Sequence, residues 1–334
     1  MSFQSIEPVE KPDFYIDQAF GEATKAASML KGKKLKLVRH EIIKKVELTK
    51  IGTINRSIIA RIGSLTQSFP STDQLTPFYS ELLRNVLDVS VLKRSLATLN
   101  WITKKSNDLT DKYVRLINNT KQPEKMLQYR REYYGRISSL FSKTKPVFDY
   151  LHEARKVFRS FPVVKDIPTI TICGFPNIGK TTLLTKLTTA DPKIAAYPFT
   201  TKTLNMGYTT INQKKVQFVD TPGTLNRFDN MNYIEQQAYL VAKHCADVIV
   251  YIFDLSEPYS LVDQKKLLKR FQEFQKPVLI YLSKTDILPK ELISEFNKDN
   301  NYFTDIKKLR HQINKEIKEV LKVREQEEAL IPQL

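Results

Sequence analysis

The chain has 334 residues, of which 41% are apolar and 27% charged, a globular balance that excludes a mostly disordered protein. Its cysteines are Cys173 and Cys245 alone, which excludes a disulfide framework or a zinc ribbon and makes a reducing cytoplasm the expected compartment. The formal net charge is +17, and it is uneven: residues 1–165 hold 30 Lys+Arg against 16 Asp+Glu, and residues 166–334 hold 23 against 20. A positive field confined to one half attracts polyanions, with RNA, DNA and anionic lipid as the candidates. The longest apolar runs, such as Val248–Phe253, fall far short of the ~20 residues of a membrane span, and no secretory signal is expected.

Residues 1–165 read as helical. Apolar residues recur with helical spacing in Tyr15–Leu30, Leu35–Leu65, Thr76–Leu87, Val91–Asn118 and Pro123–Phe161, with Lys and Arg between them. Breaks fall at Gly32, at Phe69–Pro77 and at Asn118–Pro123. After Phe161–Pro168 the texture changes to short apolar strands alternating with amphipathic stretches. The predicted strands are Thr169–Cys173, Leu204–Ile211, Val216–Asp220, Val248–Asp254 and Val278–Ser283. The predicted helices are Lys180–Thr189, Tyr233–His244 and Leu261–Phe274, and Phe303–Leu330 closes the chain as an amphipathic helix. That alternation predicts a doubly wound α/β sheet. The expected organisation is a basic helical domain over 1–165, a doubly wound α/β domain over 166–302 and a C-terminal helix over 303–334 packed on it.

Gly174 to Thr181, GFPNIGKT, matches G-x-x-x-x-G-K-[ST] with a strand before it and a helix after it. In such a loop backbone N–H groups turn toward phosphate oxygens, and a Cβ at the glycines would obstruct them. The candidate cradle is Gly174, Asn177, Ile178, Gly179, Lys180, Thr181 and Thr182. Lys180 would reach the β- and γ-phosphates, Thr181 would ligate Mg²⁺, and Thr182 would serve the α-phosphate. Asp220-Thr221-Pro222-Gly223 ends an apolar strand 40 residues after Lys180. Asp220 is placed to hold Mg²⁺ and Gly223 to meet a γ-phosphate through its N–H, giving a loop that relaxes when the phosphate leaves. Between them, Thr200 and Thr201 are both candidates to complete the Mg²⁺ shell. Ser283-Lys284-Thr285-Asp286 follows another apolar strand. Asp286 there would accept hydrogen bonds from guanine N1 and N2, and Lys284 would lie along the purine.

Taken together, GFPNIGKTTLLTKLT, YPFTTKTLNMG, VDTPGTL, ADVIVYIFDLSE and LSKTD resemble the Obg-like GTPases. FPSTDQLTPFYSELLRNVLD, KYVRLI and YRREYYGRISS resemble the N-terminal helical region of the nucleolar GTP-binding protein 1 family, and the length suggests a compact archaeal-type member. The resemblance implies an N-terminal helical bundle followed by a P-loop GTPase, which binds GTP and GDP with Mg²⁺ and acts in large ribosomal subunit assembly on ribosomal RNA or a pre-large-subunit particle. It singles out Thr201 as the Mg²⁺-sensing threonine, with Lys180 and Gly223 beside it in catalysis. It makes Ser283, Lys284 and Asp286 the base reader. It also assigns Asn177 to a bound K⁺.

Three departures stand out. Ser283 replaces the usual Asn, Thr224 follows Gly223 in place of a bulky aliphatic residue, and the final base-contact motif is missing, with Ser294 as a weak substitute. Slow intrinsic hydrolysis is therefore expected. Neither stable membrane association nor a homo-oligomer is expected. Rival readings are an RNA-binding scaffold with a decayed GTPase, a small-molecule phosphotransferase and a membrane-surface regulatory G protein. For RNA contact the densest cluster is Tyr129, Arg130, Arg131, Tyr133, Tyr134 and Arg136, with further basic stretches at Lys31–Arg39 and Lys44–Arg61.

Overall fold

The structure is a computed structural model that describes residues 3–31, 38–188, 193–195, 204–221, 233–256, 259–299 and 301–330. It divides into two compact units. One contains residues 2–75 and 83–159, and the other residues 76–82 and 160–334.

The first unit is a helical bundle of α1 (Pro12–Lys31), α2 (Arg39–Ser68), α4 (Val89–Asn118), α5 (Pro123–Lys143) and α6 (Lys145–Ser160). Helix α2 buries Val46, Ile51, Ile54, Ile58, Ile62 and Leu65, mostly one residue every three or four, which is the helical period expected of a core-facing stripe. Helix α4 begins at Asp88, whose carboxylate accepts from the backbone N–H of Ser90 and Val91 and so satisfies two otherwise orphaned donors. The predicted single helix Pro123–Phe161 is two helices. Pro146 has no N–H and would clash with the preceding turn, so α5 ends at Lys143 and is capped by Thr144, whose hydroxyl donates to the carbonyls of Leu140 and Phe141. Helix α3 (Pro77–Val86) contributes residues 77–82 to the second unit.

The second unit is built on a seven-stranded sheet in the order β2-β3-β4-β1-β5-β6-β7, from β1 (Thr169–Cys173), β2 (Lys193–Ala195), β3 (Leu204–Ile211), β4 (Lys214–Asp220), β5 (Val248–Phe253), β6 (Val278–Leu282) and β7 (Tyr302–Phe303). Strands β4, β1, β5, β6 and β7 run parallel, while β3 pairs antiparallel with β4 and β2 antiparallel with β3. β1 and β5 are buried along their whole length, as central parallel strands covered on both faces must be. The β3–β4 hairpin turns on Asn212 and Gln213, both at positive φ, the geometry that matches the twist of the strands it joins. Helices α7 (Lys180–Leu187), α8 (Tyr233–Leu240), α9 (Leu261–Gln272), α10 (Lys290–Asp299) and α11 (Ile306–Leu330) complete the unit. α11 places Leu309, Ile313, Ile317 and Leu321, four residues apart, in the same apolar core as the strands. The short strands β2 and β7 and helix α10 were not expected from the sequence, because two or three residues carry no period and LISEF reads equally as loop.

Candidate nucleotide site

The parallel strands end together. Ile172 of β1 pairs with Asp220 of β4, Cys173 pairs with Tyr251 of β5, and Phe253 pairs with Leu282 of β6. This register brings the GFPNIGKT loop, Asp220, Asp254 and Ser283–Asp286 to one sheet edge, the carboxyl edge where open α/β sheets bind ligands.

The loop geometry explains its glycines. Gly174 sits at φ +145, and a Cβ there would lie 2.4 Å from Ile178 Cδ1 and 2.9 Å from the Ile252 carbonyl. Gly179, at φ +95, meets nothing within 4 Å, so backbone conformation rather than space requires it. Asn177 adopts φ +62, a left-handed conformation that Asn tolerates. Gly179 caps α7, whose first N–H groups therefore face the loop. Lys180 is buried and its Nζ donates to the Phe175 carbonyl at 2.5 Å, folding the ammonium over its own loop. Burial lowers its pKa, and the nearby Asp220 opposes that shift.

Asp220 is buried at 4% exposure. Its Oδ2 accepts from the Thr181 hydroxyl at 2.5 Å and from Asn205 Nδ2 at 3.1 Å, while its buried Oδ1 has no hydrogen-bond partner among the described residues. Burial raises its pKa against the lowering effect of Thr181, Asn205 and Lys180. A hydroxyl touching a carboxylate that keeps one orphaned buried oxygen is a donor set suited to a small hard cation, so the residues fit Mg²⁺ held by Thr181 and Asp220. The ion would supply positive charge against phosphate oxygens. Thr221 is locked to the sheet, its hydroxyl donating to the Ile172 carbonyl at 2.8 Å. Gly223, Thr224, Thr200 and Thr201 lie outside the described residues.

Asn177, Gly179, Thr182, Leu183, Lys186, Ser283, Lys284, Asp286, Tyr281 and Ile306 line one cleft of about 350 Å³. The phosphate loop and the expected base reader thus share a single cavity of ligand size. Ser283 is buried, with its N–H and hydroxyl both donating to the Phe253 carbonyl at 2.9 Å. Lys284 takes φ +53 and reaches Asp254 Oδ2 at 2.6 Å. Burial pushes the Asp254 pKa up, but the bonds from Lys284 and Ser256 outweigh it and leave the carboxyl lowered. Gln264 fixes that corner by accepting from the Asp254 N–H and donating to its carbonyl. Ser294 does not join the residues that line the cleft. It lies on α10, because LISEF is helical there, and its hydroxyl donates to the Glu291 carbonyl.

Sequence reasoning missed Asn205 and Asp254. The signal for Asp254 was present, an acidic residue ending an apolar strand as Asp220 does. That for Asn205 exists only in the hairpin register, which sets it opposite Asp220.

The tyrosine–arginine cluster on α5 is a correction. Tyr133 is fully buried and its hydroxyl is 3.0 Å from that of Thr110. Tyr134 stacks on Phe20 with centroids 4.6 Å apart, and Arg130 lies over the Tyr134 ring while pairing with buried Glu47. Arg136 Nε donates to the Tyr113 hydroxyl at 3.2 Å. These rings are core and bracing, because the apolar stripe of α5 runs through Met126, Tyr133, Ile137 and Leu140. Arg131 and Arg136 are the arginines of the cluster that stay exposed, and Lys31–Arg39 falls largely outside the described residues.

A glycine-bearing strand–loop–helix turn of G-x-x-x-x-G-K-[ST] pattern beside a strand-end aspartate on a largely parallel sheet defines a P-loop GTPase. Residues 3–165 match the NOG1 N-terminal helical domain and residues 169–284 match the 50S ribosome-binding GTPase family. An uncharacterized protein of Methanocaldococcus jannaschii is 32% identical over 87% of this chain and 83% of its own length. Nucleolar GTP-binding protein 1 of Drosophila melanogaster is 29% identical over 88% of this chain and 46% of its own, and that of Encephalitozoon cuniculi is 30% identical over 72% and 47%. The chain thus spans less than half the length of these nucleolar relatives. Among solved structures, a variant of Aquifex aeolicus Era bound to GDP·AlF4⁻ is 26% identical over 40% of this chain and 47% of its own, with a TM-score of 0.31. The chain belongs to the nucleolar GTP-binding protein 1 family and is a GTP-binding protein. No described helix is long and apolar enough to cross a membrane, and no described group of His, Cys, Asp or Glu is arranged to hold a metal by itself.

Proposed function

We propose that the chain is a GTP-hydrolysing switch that binds ribosomal RNA or a pre-large-subunit particle during large-subunit assembly. The observation that carries this reading is the single cleft shared by the phosphate loop and Ser283, Lys284 and Asp286, in a chain that also matches a 50S ribosome-binding GTPase family. The working division is a basic RNA-binding domain over 1–165, a GTPase domain over 166–302 and a C-terminal helix over 303–334.

In this reading Gly174, Asn177, Ile178, Gly179, Lys180, Thr181 and Thr182 cradle the phosphates. Asp286 accepts from guanine N1 and N2, and Lys284, held against Asp254, lies beside the purine. Thr181, Thr201 and Asp220 hold Mg²⁺. Lys180, Thr201 and Gly223 meet the γ-phosphate, so its loss releases the segments around them. Catalysis rests on positioning and charge. Thr224, after Gly223, is not the water-orienting Gln of many small GTPases, so turnover is slow until the particle completes the site. Asn177, whose φ is +62, helps hold K⁺ near the phosphates in this reading. The expected place of work is the cytoplasm.

The test is GTP turnover by the full chain, alone and with large-subunit particles, in potassium and in sodium buffer. Acceleration by the particles, together with tighter co-sedimentation in a non-hydrolysable GTP analogue than in GDP, supports the switch. Turnover absent under every condition leaves a scaffold with a decayed GTPase. Equal rates in sodium and potassium remove the K⁺ role.

A further inference from the structure

Helix α4 buries one face, through Leu92, Leu99, Ile102, Tyr113 and Ile117, against its neighbours in the bundle. At about 100° per residue, Arg94, Trp101, Lys104, Lys105, Lys112 and Arg115 fall together on the opposite face. All six are exposed. Trp101 is the chain's only tryptophan, is 49% exposed, and makes no ring contact with a described residue. None of the five cations closes a salt bridge with a described carboxylate. Lys93 on the same helix, by contrast, is paired with Asp73, and Arg130 on α5 with Glu47. One acid, Asp108, shares the stripe, and Asp111 borders it. From Arg94 to Arg115 the stripe runs roughly 32 Å at ~1.5 Å per residue, long enough for several nucleotides.

An indole half exposed among five cations that close no salt bridge with a described carboxylate, against the two acids Asp108 and Asp111, suits an unpaired base with phosphates on either side. Aromatic faces stack on single-stranded bases, and Lys and Arg neutralise the backbone. A protein partner fits less well: protein interfaces are depleted of lysine at their core, and the positions around Trp101 offer lysines and Ala97 in place of a wider apolar patch. We propose that the outer face of α4 is a contact surface for single-stranded RNA, with Trp101 stacking one unpaired base and Arg94, Lys104, Lys105, Lys112 and Arg115 meeting phosphates. This deepens, and rests on, the reading of the helical half as RNA-binding.

Because Trp101 is the sole indole, its emission reports on this face alone. The full chain is titrated with a labelled single-stranded oligoadenylate, reading label anisotropy and indole fluorescence in parallel. The expected result is saturable quenching with the same midpoint as the anisotropy. Trp101→Ala weakens binding about 5- to 150-fold, the loss expected for one base–aromatic stack, and Trp101→Phe keeps most of the affinity. The double substitution Lys104→Gln and Lys105→Gln reduces the slope of log K against log salt by roughly 1.4.

Anisotropy binding with unchanged indole emission and undiminished Trp101→Ala affinity overturns the surface while the RNA reading stands. No anisotropy change with the oligoadenylate or with ribosomal RNA removes the RNA reading itself. Intact affinity of Trp101→Ala for naked RNA with lost co-sedimentation on particles assigns the face to a protein neighbour and overturns the proposal.

Discussion

Asp220 carries an unfavourable charge in the free protein. One oxygen is bonded twice, the other is buried with no partner, and burial raises its pKa. A carboxyl whose folded pKa lies above its unfolded value loses stability as pH rises through the interval between the two, and the deficit persists above it. Asp220→Asn keeps an oxygen for Thr181 and Asn205 and removes that charge. The melting temperature of nucleotide-free protein at neutral pH should therefore rise, while the Mg²⁺-dependent part of nucleotide stabilisation disappears. Thermal scans with EDTA and with Mg²⁺ measure both, and a lower melting point in EDTA would contradict the assignment.

Asp286 gives the second prediction at this scale. An amide in place of the carboxylate turns a donor toward guanine N2 and suits the carbonyl that xanthine carries at that carbon. Asp286→Asn should weaken GDP binding at least tenfold, the loss of one hydrogen bond to a charged group being about 1.5–3 kcal/mol, and should gain affinity for xanthosine diphosphate. Competition with labelled nucleotide decides it. The placement of Lys180 and Asp286 at one sheet edge was legible because fixed spacing beside a strand announces it. Asn205 was not, since its role follows from pairing with Asp220 across a hairpin.

Elements carry constraints that single positions do not show. Gly207 has no ligand role in any motif, yet a Cβ there would lie 2.4 Å from Thr188 Cγ2 and 3.1 Å from Leu184 Cδ1, because the end of α7 rests on β3. Gly207→Ala should cost about 1–3 kcal/mol by overpacking and loosen the helix that carries Lys180. Denaturant unfolding and GDP affinity should both report it. The bundle misled in the other direction. Tyr133 and Tyr134 lie one residue apart beside arginines, and only the angle of α5 against α4 and α1 turns one ring into the core and the other onto Phe20.

Helix α3 is held by chemistry of another kind. Glu81 accepts from Lys243 at 2.8 Å and from His244, both in the widened turn Val241–Cys245 that ends α8. Burial pushes the Glu81 pKa up, and the bonds from Lys243 and His244 outweigh it and leave it lowered. A depressed carboxyl contributes stability present above its unfolded pKa and lost as pH falls through the folded value. Glu81→Gln should lower the melting temperature at pH 7 and flatten the acid-side loss below pH ~4, read by melting curves across pH. An unchanged acid limb would mean that the clamp is not formed in solution.

At the scale of the whole molecule, the change of texture near residue 165 announced two kinds of structure, and the family models meet there, at 165 and 169. The assignment of residues 76–82 to the second unit was not legible, because Tyr79 reaches the Pro162 carbonyl and Glu81 reaches Lys243 across long stretches of chain. The last helix, expected to pack on the second half of the chain, sets Leu309, Ile313 and Ile317 among the strands. Two units with separate cores predict two calorimetric transitions. A ligand that binds one folded unit stabilises that unit alone, by about 2.7 kcal/mol at a hundredfold excess over Kd, which is roughly 2–4 °C per kcal/mol for a domain of this size. GDP with Mg²⁺ should therefore move one transition upward and leave the other in place. Ile313→Ala, which empties part of the core shared by α11 and the sheet, should destabilise that same transition by about 2–5 kcal/mol without touching its neighbour. If GDP and Ile313→Ala were to act on different transitions, α11 would not belong to the unit that holds the nucleotide.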